Sequence, residues 1–205
     1  MNKTILDLIK SQYKQDGEYI IIFPNPAKGI LYITEHSPGF ISGHVRLRGK
    51  NNGSYPYRYL DMIDTIFGKE PNTIEVCSGD MVVNKSNCNT TVDINPAKNP
   101  DIIDDAQMLS SISSDNIYYR WRCDPPYNLA TAKSMYGLTD LPQTSKLLKA
   151  GTRVCRPGSL MFLLLGAQNY QMCPKGVKRI GWIAITIVPN NEMRCLNIFL
   201  KKYET

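Results

Sequence analysis

Acidic residues are missing from two long stretches of this 205-residue chain. Residues 141–191 hold no Asp or Glu, yet they carry Lys146, Lys149, Arg153, Arg156, Lys175, Lys178 and Arg179. Residues 37–60 are also free of acid, and carry Arg46, Arg48, Lys50 and Arg58 among Tyr55, Tyr57 and Tyr59. A net charge of +6 is modest, but it is unevenly spread. Bases interleaved with aromatics suit a phosphate backbone and unstacked nucleobases; the plainer reading is a solvated face. Long apolar runs are lacking too. The longest, 160–165, is strand-sized against the roughly 18–20 residues of a membrane span, so no membrane partner is expected. No apolar leader with a small-residue cleavage site follows Met1, so the expectation is a cytoplasmic protein. The six cysteines include no C-x-x-C pair, which argues against a zinc site and for thiols packed as small hydrophobes. Two histidines, His36 and His44, have no serine–acid partners that would make a hydrolase triad.

What is present is a series of short apolar runs separated by turn residues. Residues 3–14 space apolar side chains like one face of a short helix. Residues 19–23 and 29–34 read as a hairpin or neighbouring strands across Pro24-Asn25-Pro26-Ala27-Lys28. A Gly-rich basic loop, 37–54, follows, centred on Arg46-Leu47-Arg48-Gly49-Lys50. Residues 1–54 are therefore expected to form a small α+β appendage, either facing substrate or capping the sheet. Beyond it the pattern predicts a helix over 59–67 closed by Gly68 and strands over 73–77, 90–94 and 101–103. A helix over 142–149 has proline in its first turn. Residues 158–166 are apolar throughout, as central parallel strands tend to be. Residues 181–188 and 193–201 form a hairpin about Pro189-Asn190-Asn191.

Between these lies the stretch that carries chemistry, residues 117–128. Ile117, Tyr118, Tyr119 and Trp121 read as a strand, stopped by Pro125 and Pro126, which have no N–H for a ladder. The strand would thus present Asp124, two rigid carbonyls and the ring of Tyr127 at its carboxyl edge, where ligands sit in open α/β sheets. An exocyclic amino group on an aromatic base is a poor nucleophile because its lone pair is delocalised. Two fixed acceptors, the Asp124 carboxylate and the Pro125 carbonyl, could take its N–H bonds and favour a pyramidal nitrogen. Stacking on Tyr127 is worth about 1–3 kcal/mol, comparable with the few kcal/mol needed to unstack a base. The plainer alternative is a strand followed by a Pro-Pro turn.

Asp124-Pro125-Pro126-Tyr127 resembles the D/N/S-P-P-Y/F motif of S-adenosylmethionine-dependent amino methyltransferases. Over residues 55–205 the order is similar to that family: a strand and glycine turn, a strand ending in an acid, Asp-Asp-Ala, the Pro-Pro strand and a terminal hairpin. The resemblance implies an α/β, Rossmann-like seven-stranded methyltransferase sheet over 55–205, with 1–54 as the appendage and S-adenosylmethionine as cofactor. It makes Asp124, Pro125, Pro126 and Tyr127 the catalytic stretch. It assigns the turn of Cys77, Ser78 and Gly79 to the methionine part of the cofactor and Glu75 to its amino group. Asp93 would hold the ribose hydroxyls, Asp105 with Ala106 would bind the adenine amino group, and Ile94 would pack on that ring. Two departures stand out. The family's first loop holds several glycines where this chain has only Gly79, and the segment before the second strand is short, with Asn84, Asn87 and Asn89.

The expected acceptor is a base amino group in nucleic acid, DNA adenine N6 first, with a tRNA or rRNA base as the alternative. A catalytically inactive nucleic-acid-binding subunit is a reading of another class; the sparse glycines favour it and the intact Asp124–Tyr127 stretch disfavours it. Arg46, Arg48, Lys50, Lys175, Lys178 and Arg179 are the expected nucleic-acid contacts. About eighty residues follow Asp124, and the sheet consumes them. Target reading would then fall to residues 1–54, to a homodimer mate or separate subunit, or be limited.

Overall fold

The structure, a computed structural model, describes residues 14–15, 18–22, 30–37, 40–48, 55–81, 89–166, 173–188 and 192–203. Four strands arise in the N-terminal stretch: β1 (Lys14–Gln15), β2 (Glu18–Ile22), β3 (Ile30–Ser37) and β4 (Phe40–Arg48). Seven follow: β5 (Thr73–Val76), β6 (Thr90–Asp93), β7 (Ile102–Ile103), β8 (Tyr118–Cys123), β9 (Cys155–Gly166), β10 (Val177–Val188) and β11 (Glu192–Lys201). All eleven pair in one sheet, in the order β1-β2-β3-β4-β10-β11-β9-β8-β5-β6-β7. Strands β7, β6, β5, β8 and β9 are parallel neighbours. β11 is antiparallel to both β9 and β10, which restores β10 to the common direction. The carboxyl ends of β5, β6, β8, β9 and β10 therefore share one edge of the sheet with the start of β11. Among the described residues no helix is long and apolar enough to cross a membrane.

Strand alternation divides the apolar side chains between two faces. On one, Ile41, Val45, Phe162, Leu164, Ile183 and Ile198 lie beneath α1 (Tyr59–Phe67), which contributes Met62, Ile63 and Ile66. On the other, Ile74, Val76, Trp121, Met161 and Leu163 lie beneath α3 (Thr144–Val154), which contributes Leu147, Leu148 and Val154. A third helix, α2 (Leu129–Tyr136), follows the Pro-Pro turn. Each fully buried side chain of this kind is worth about 1.5–3 kcal/mol. Helix α3 crosses the sheet at Gly151, where a Cβ would sit 2.8 Å from the Trp121 ring.

The structure departs from the sequence pattern in several places. Residues 40–48 are a strand, not a loop: Ile41, Val45 and Leu47 are buried while His44 and Arg46 are exposed, a period of two that glycines and charges obscure. β4 runs parallel to β10, so the N-terminal strands prolong the main sheet. The approach is close, for a Cβ on Gly181 would lie 2.5 Å from the Ile41 carbonyl oxygen. The hairpin expected over 19–23 and 29–34 is present as antiparallel β2 and β3. The helix expected over 3–14 falls almost wholly outside the described residues, although Lys14 begins β1. Segment 82–88, with Asn84 and Asn87, also lies outside them. Helix α3 starts at Thr144, two residues after Pro142, and runs on to Val154. Helix α2 has no clear pattern in the sequence; it depends on its caps.

Candidate active site

β8 ends at Cys123 because the next residues cannot continue its ladder: Pro125 and Pro126 have no N–H. Asn128 then caps α2, its side chain accepting from Thr131 N at 2.8 Å, and Gly137, at φ 67°, closes that helix. Between these fixed ends the Asp-Pro-Pro-Tyr turn is held at the carboxyl edge. The Asp124 side chain is 12% exposed. The Tyr127 hydroxyl donates to Asp124 Oδ1. Arg194, at the start of β11, donates to Tyr127 Oη at 2.9 Å and stands 3.6 Å from Asp124 Oδ2. Its guanidinium lies 4.6 Å from the centre of the Tyr127 ring. Burial pushes the Asp124 carboxyl up to about 7; Arg194 opposes this and Glu192 reinforces it.

Beside this turn opens a cavity of about 330 Å³, within the range of small-ligand sites. Asp93, 2% exposed at the end of β6, forms one wall. Its Oδ2 accepts from Gly79 N at 2.8 Å and its Oδ1 from Asn95 N at 2.9 Å. That clamp ties the turn after β5 to the turn after β6. The same two turns are joined by Lys98 Nζ and Asp80 at 2.8 Å. Cys77 adopts φ 57° and Gly79 φ 54°. Cys77 thus takes the left-handed conformation that glycine adopts freely, at about 1–2 kcal/mol for an L-residue. On the far wall Asp105 Oδ1 accepts from Gln107 N at 2.8 Å. The Gln107 side chain in turn accepts from Gln143 N at 2.8 Å, drawing residues 138–143 to the cavity rim. Ile94 and Leu141 line the cavity while 42% and 41% exposed, apolar surfaces able to flank a flat ligand. Tyr136 lines it as well. Burial, with Asp93, Cys77 and Asp124 nearby, pushes its hydroxyl up to about 12.

Of the residues singled out by sequence, Cys77, Asp93, Ile94, Asp105, Ala106 and Pro126 line this cavity. Ser78 and Gly79 are buried in the turn beside it, and Asp124, Pro125 and Tyr127 belong to the adjoining turn. Glu75 is not brought there. Strand alternation turns it away from Ile74 and Val76, onto the face covered by α1. There its carboxylate, 0% exposed, pairs with Arg122 and accepts from Tyr55 Oη at 3.2 Å. Burial raises the Glu75 carboxyl, against the pull of Arg122 and Tyr55.

The basic residues divide between opposite edges. Arg46 is exposed on β4, and Arg48 pairs in register with Val188, so both approach the edge that carries Asp124. Lys50 lies outside the described residues. Lys175 lies two residues before β10, while Lys178 and Arg179 pair with Leu200 and Phe199 toward the amino edge. Through β9 and β11, Asp124 lies level with Ile183, so Lys178 and Arg179 sit four to five residues below it along the strand, about 13–17 Å at about 3.3 Å each. Topology separates what the acid-free interval seemed to join. Conversely, Arg194, Tyr136, Leu141, Gln143 and Lys146 are at the site and carry no motif. The one usable signal was the terminal hairpin, whose returning strand had to begin at the carboxyl edge.

No family model matches the chain, and no curated protein matches it. Solved structures do. TrmN from Thermus thermophilus superposes with a TM-score of 0.55 at 12% identity, over 73% of this chain and 50% of TrmN. The sheet has a Rossmann-like α/β fold, which it shares with TrmN. Seven of its eleven strands, β7-β6-β5-β8-β9-β11-β10, end in the antiparallel insertion of β11. The chain spans about half the length of TrmN. Lesser likenesses reach a protein described for conversion of a disulfide bond into a thioacetal group during echinomycin biosynthesis, with a TM-score of 0.45 at 12% identity over 71% of this chain and 82% of that one. Another is the antibiotic-resistance methyltransferase Kmr, with a TM-score of 0.39 at 12% identity over 78% and 99%. At such identities the likeness concerns the fold, and the chemistry rests on this chain's own residues.

Proposed function

We propose that this chain transfers a methyl group from S-adenosylmethionine to the exocyclic amino group of a nucleic-acid base, with RNA as the acceptor class. One observation carries the reading: the Asp124–Tyr127 turn adjoins the cavity walled by Asp93, Ile94 and Asp105, on a sheet of methyltransferase type. The donor set fits the cofactor. Asp93 is a buried carboxylate already oriented by two backbone N–H groups, apt for a vicinal diol. Asp105 offers an acceptor, and Ile94 and Leu141 offer apolar surface to a purine. Cys77, Ser78 and Gly79 would border the methionine portion. When bound there, the sulfonium supplies an electrophilic methyl group.

The chain's residues prepare the nucleophile. Asp124, once ionised, and the Pro125 carbonyl accept the two amino protons and hold the nitrogen lone pair out of conjugation. The Tyr127 ring holds the base flat. Positioning of this kind can supply roughly 7–11 kcal/mol of barrier reduction, and the carboxylate stabilises charge as it grows on nitrogen. A carboxyl near 7 can then take the amino proton.

RNA is preferred on physical grounds. A base in an RNA loop is already unstacked, which spares the few kcal/mol of extrusion. The comparisons lend DNA adenine N6 no support. A quiet, nucleic-acid-binding role is the second reading, favoured by one feature: Cys77 occupies a backbone conformation suited to glycine at the cavity wall.

The deciding experiment incubates the full chain with methyl-labelled S-adenosylmethionine and separate pools of tRNA, rRNA and DNA, followed by nucleoside analysis. Label in an N-methylated RNA base is expected. Label in DNA N6-methyladenine would return the acceptor to DNA. No label in any pool, with cofactor bound by calorimetry, would leave the quiet subunit.

A further inference from the structure

We infer that Arg194 is a stand-in for the acceptor base: it occupies the Tyr127 ring and the Asp124 carboxylate in the free protein and must leave when a base arrives. This rests on the reading of Tyr127 as the stacking platform. The guanidinium shares three properties with an amino-substituted base. It is planar, it lies against an aromatic ring at 4.6 Å, and its Nη1, which donates to Tyr127 Oη at 2.9 Å, stands 3.6 Å from Asp124 Oδ2, on the carboxylate assigned to the amino group. Its side chain is 15% exposed, so it is withdrawn from water rather than an ordinary surface charge. Among the described residues its other side-chain tether is Nε to Glu192, 3.1 Å away and itself 47% exposed, which leaves the arginine able to swing toward solvent about the start of β11.

The arrangement also solves a problem of charge. The groups facing Asp124 are Tyr127 in its own turn, Cys123 at the end of β8, Arg194 and Glu192 on β11, Tyr55 and Tyr59 at the head of α1, and Tyr136 on α2. Among these Arg194 is the cation. Burial alone would leave Asp124 protonated near neutral pH, and a protonated carboxyl is a poor acceptor for an amino group. Arg194 offsets part of that penalty until the amino group takes over as donor. The exchange is nearly balanced, because stacking a base on tyrosine and stacking a guanidinium on it are of similar strength. The displaced guanidinium then faces solvent at the edge where a phosphate would pass, a partner it binds bidentately.

The test uses 2-aminopurine riboside, a fluorescent amino base without phosphate, titrated into the full chain and into Arg194→Gln and Arg194→Lys. Thermal melting confirms that each variant folds. At pH 9 Arg194→Gln should bind the analogue about two- to fivefold more tightly than the unaltered protein, the fold-change of one cation–π contact. As pH falls, its binding should fail at a higher pH than in the unaltered protein. Arg194→Lys keeps the charge and loses the flat stack, so it should bind more tightly with an unmoved pH midpoint; it also carries the test if the Gln variant does not fold. Equal or weaker binding by both variants at pH 9 overturns the inference. So does quenching of the analogue that persists in Tyr127→Leu. If the variants behave as stated while no pool of nucleic acid is methylated, the methyltransferase reading fails and the stand-in survives. Methylated RNA with variants indistinguishable from the unaltered protein gives the reverse.

Discussion

Replacing Asp124 by Asn should stabilise this protein at alkaline pH while abolishing its methyl transfer. Burial raises the Asp124 carboxyl from 3.8 to about 7, which corresponds to about 4 kcal/mol of penalty on the ionised form in the folded state. The sign follows from proton binding. Between 3.8 and about 7 the folded chain holds this proton more tightly than the unfolded chain does, so stability falls as pH rises through that window. Above it the whole penalty is present; below 3.8 it vanishes. Asparagine is never ionised and escapes it, though it forgoes the attraction of Arg194, so a net gain of about 2–4 kcal/mol is expected at pH 8. Urea denaturation of both proteins at pH 5 and pH 8 measures this. With slopes of about 1–3 kcal/mol per molar, the midpoint of Asp124→Asn should lie about 1 M or more above the unaltered protein at pH 8, with a smaller difference at pH 5. A variant less stable at pH 8 would refute the reasoning, because the carboxylate would then be comfortable where it sits. Activity of the unaltered protein should correspondingly decline as pH drops through about 7, when the carboxylate is lost as an acceptor.

The other predictions concern neighbouring parts of the site. Asp93→Asn leaves an amide that cannot accept from both Gly79 N and Asn95 N; calorimetry should show S-adenosylmethionine affinity down about tenfold or more, and unchanged affinity would remove the ribose role. Glu75→Ala strips Arg122 of its buried carboxylate partner and should cost about 3 kcal/mol of stability, read by denaturation. If that variant instead keeps its stability and loses only cofactor, Glu75 does contact the ligand. Arg46→Gln, at the carboxyl edge, should lower the salt slope of RNA binding by about one, whereas Lys178→Gln, at the amino edge, should leave it unchanged. Filter binding over a range of salt separates the two.

Much of the site is local in character and was legible for that reason. A Pro-Pro pair ends a strand whatever surrounds it, and an acid at the end of a buried strand projects from the sheet edge. So Asp124–Tyr127, Asp93 and Asp105 could be named from the chain alone, and the structure gathers them about one cavity and the turn beside it. Helix α1 was equally plain, since its apolar spacing and Gly68 are both sequence-local. The strand at 40–48 was not, because Ser42, Gly43, His44 and Arg46 dilute an alternation that only pairing with β10 reveals. Glu75 was misplaced for a related reason: its type suggested a ligand, but which face of β5 it occupies depends on register with β8.

By itself, then, the sequence determined where chain direction and strand ends must fall, because proline geometry, glycine turns and apolar periodicity act over a few residues. Only the tertiary structure decided which distant residues share an edge. The antiparallel return of β11 delivers Arg194 to Asp124 and Tyr127 from 70 and 67 positions away, and the same sheet carries Lys178 to the opposite end. Such pairings are set by hydrogen-bond register across the whole sheet, a quantity that no short stretch of sequence contains.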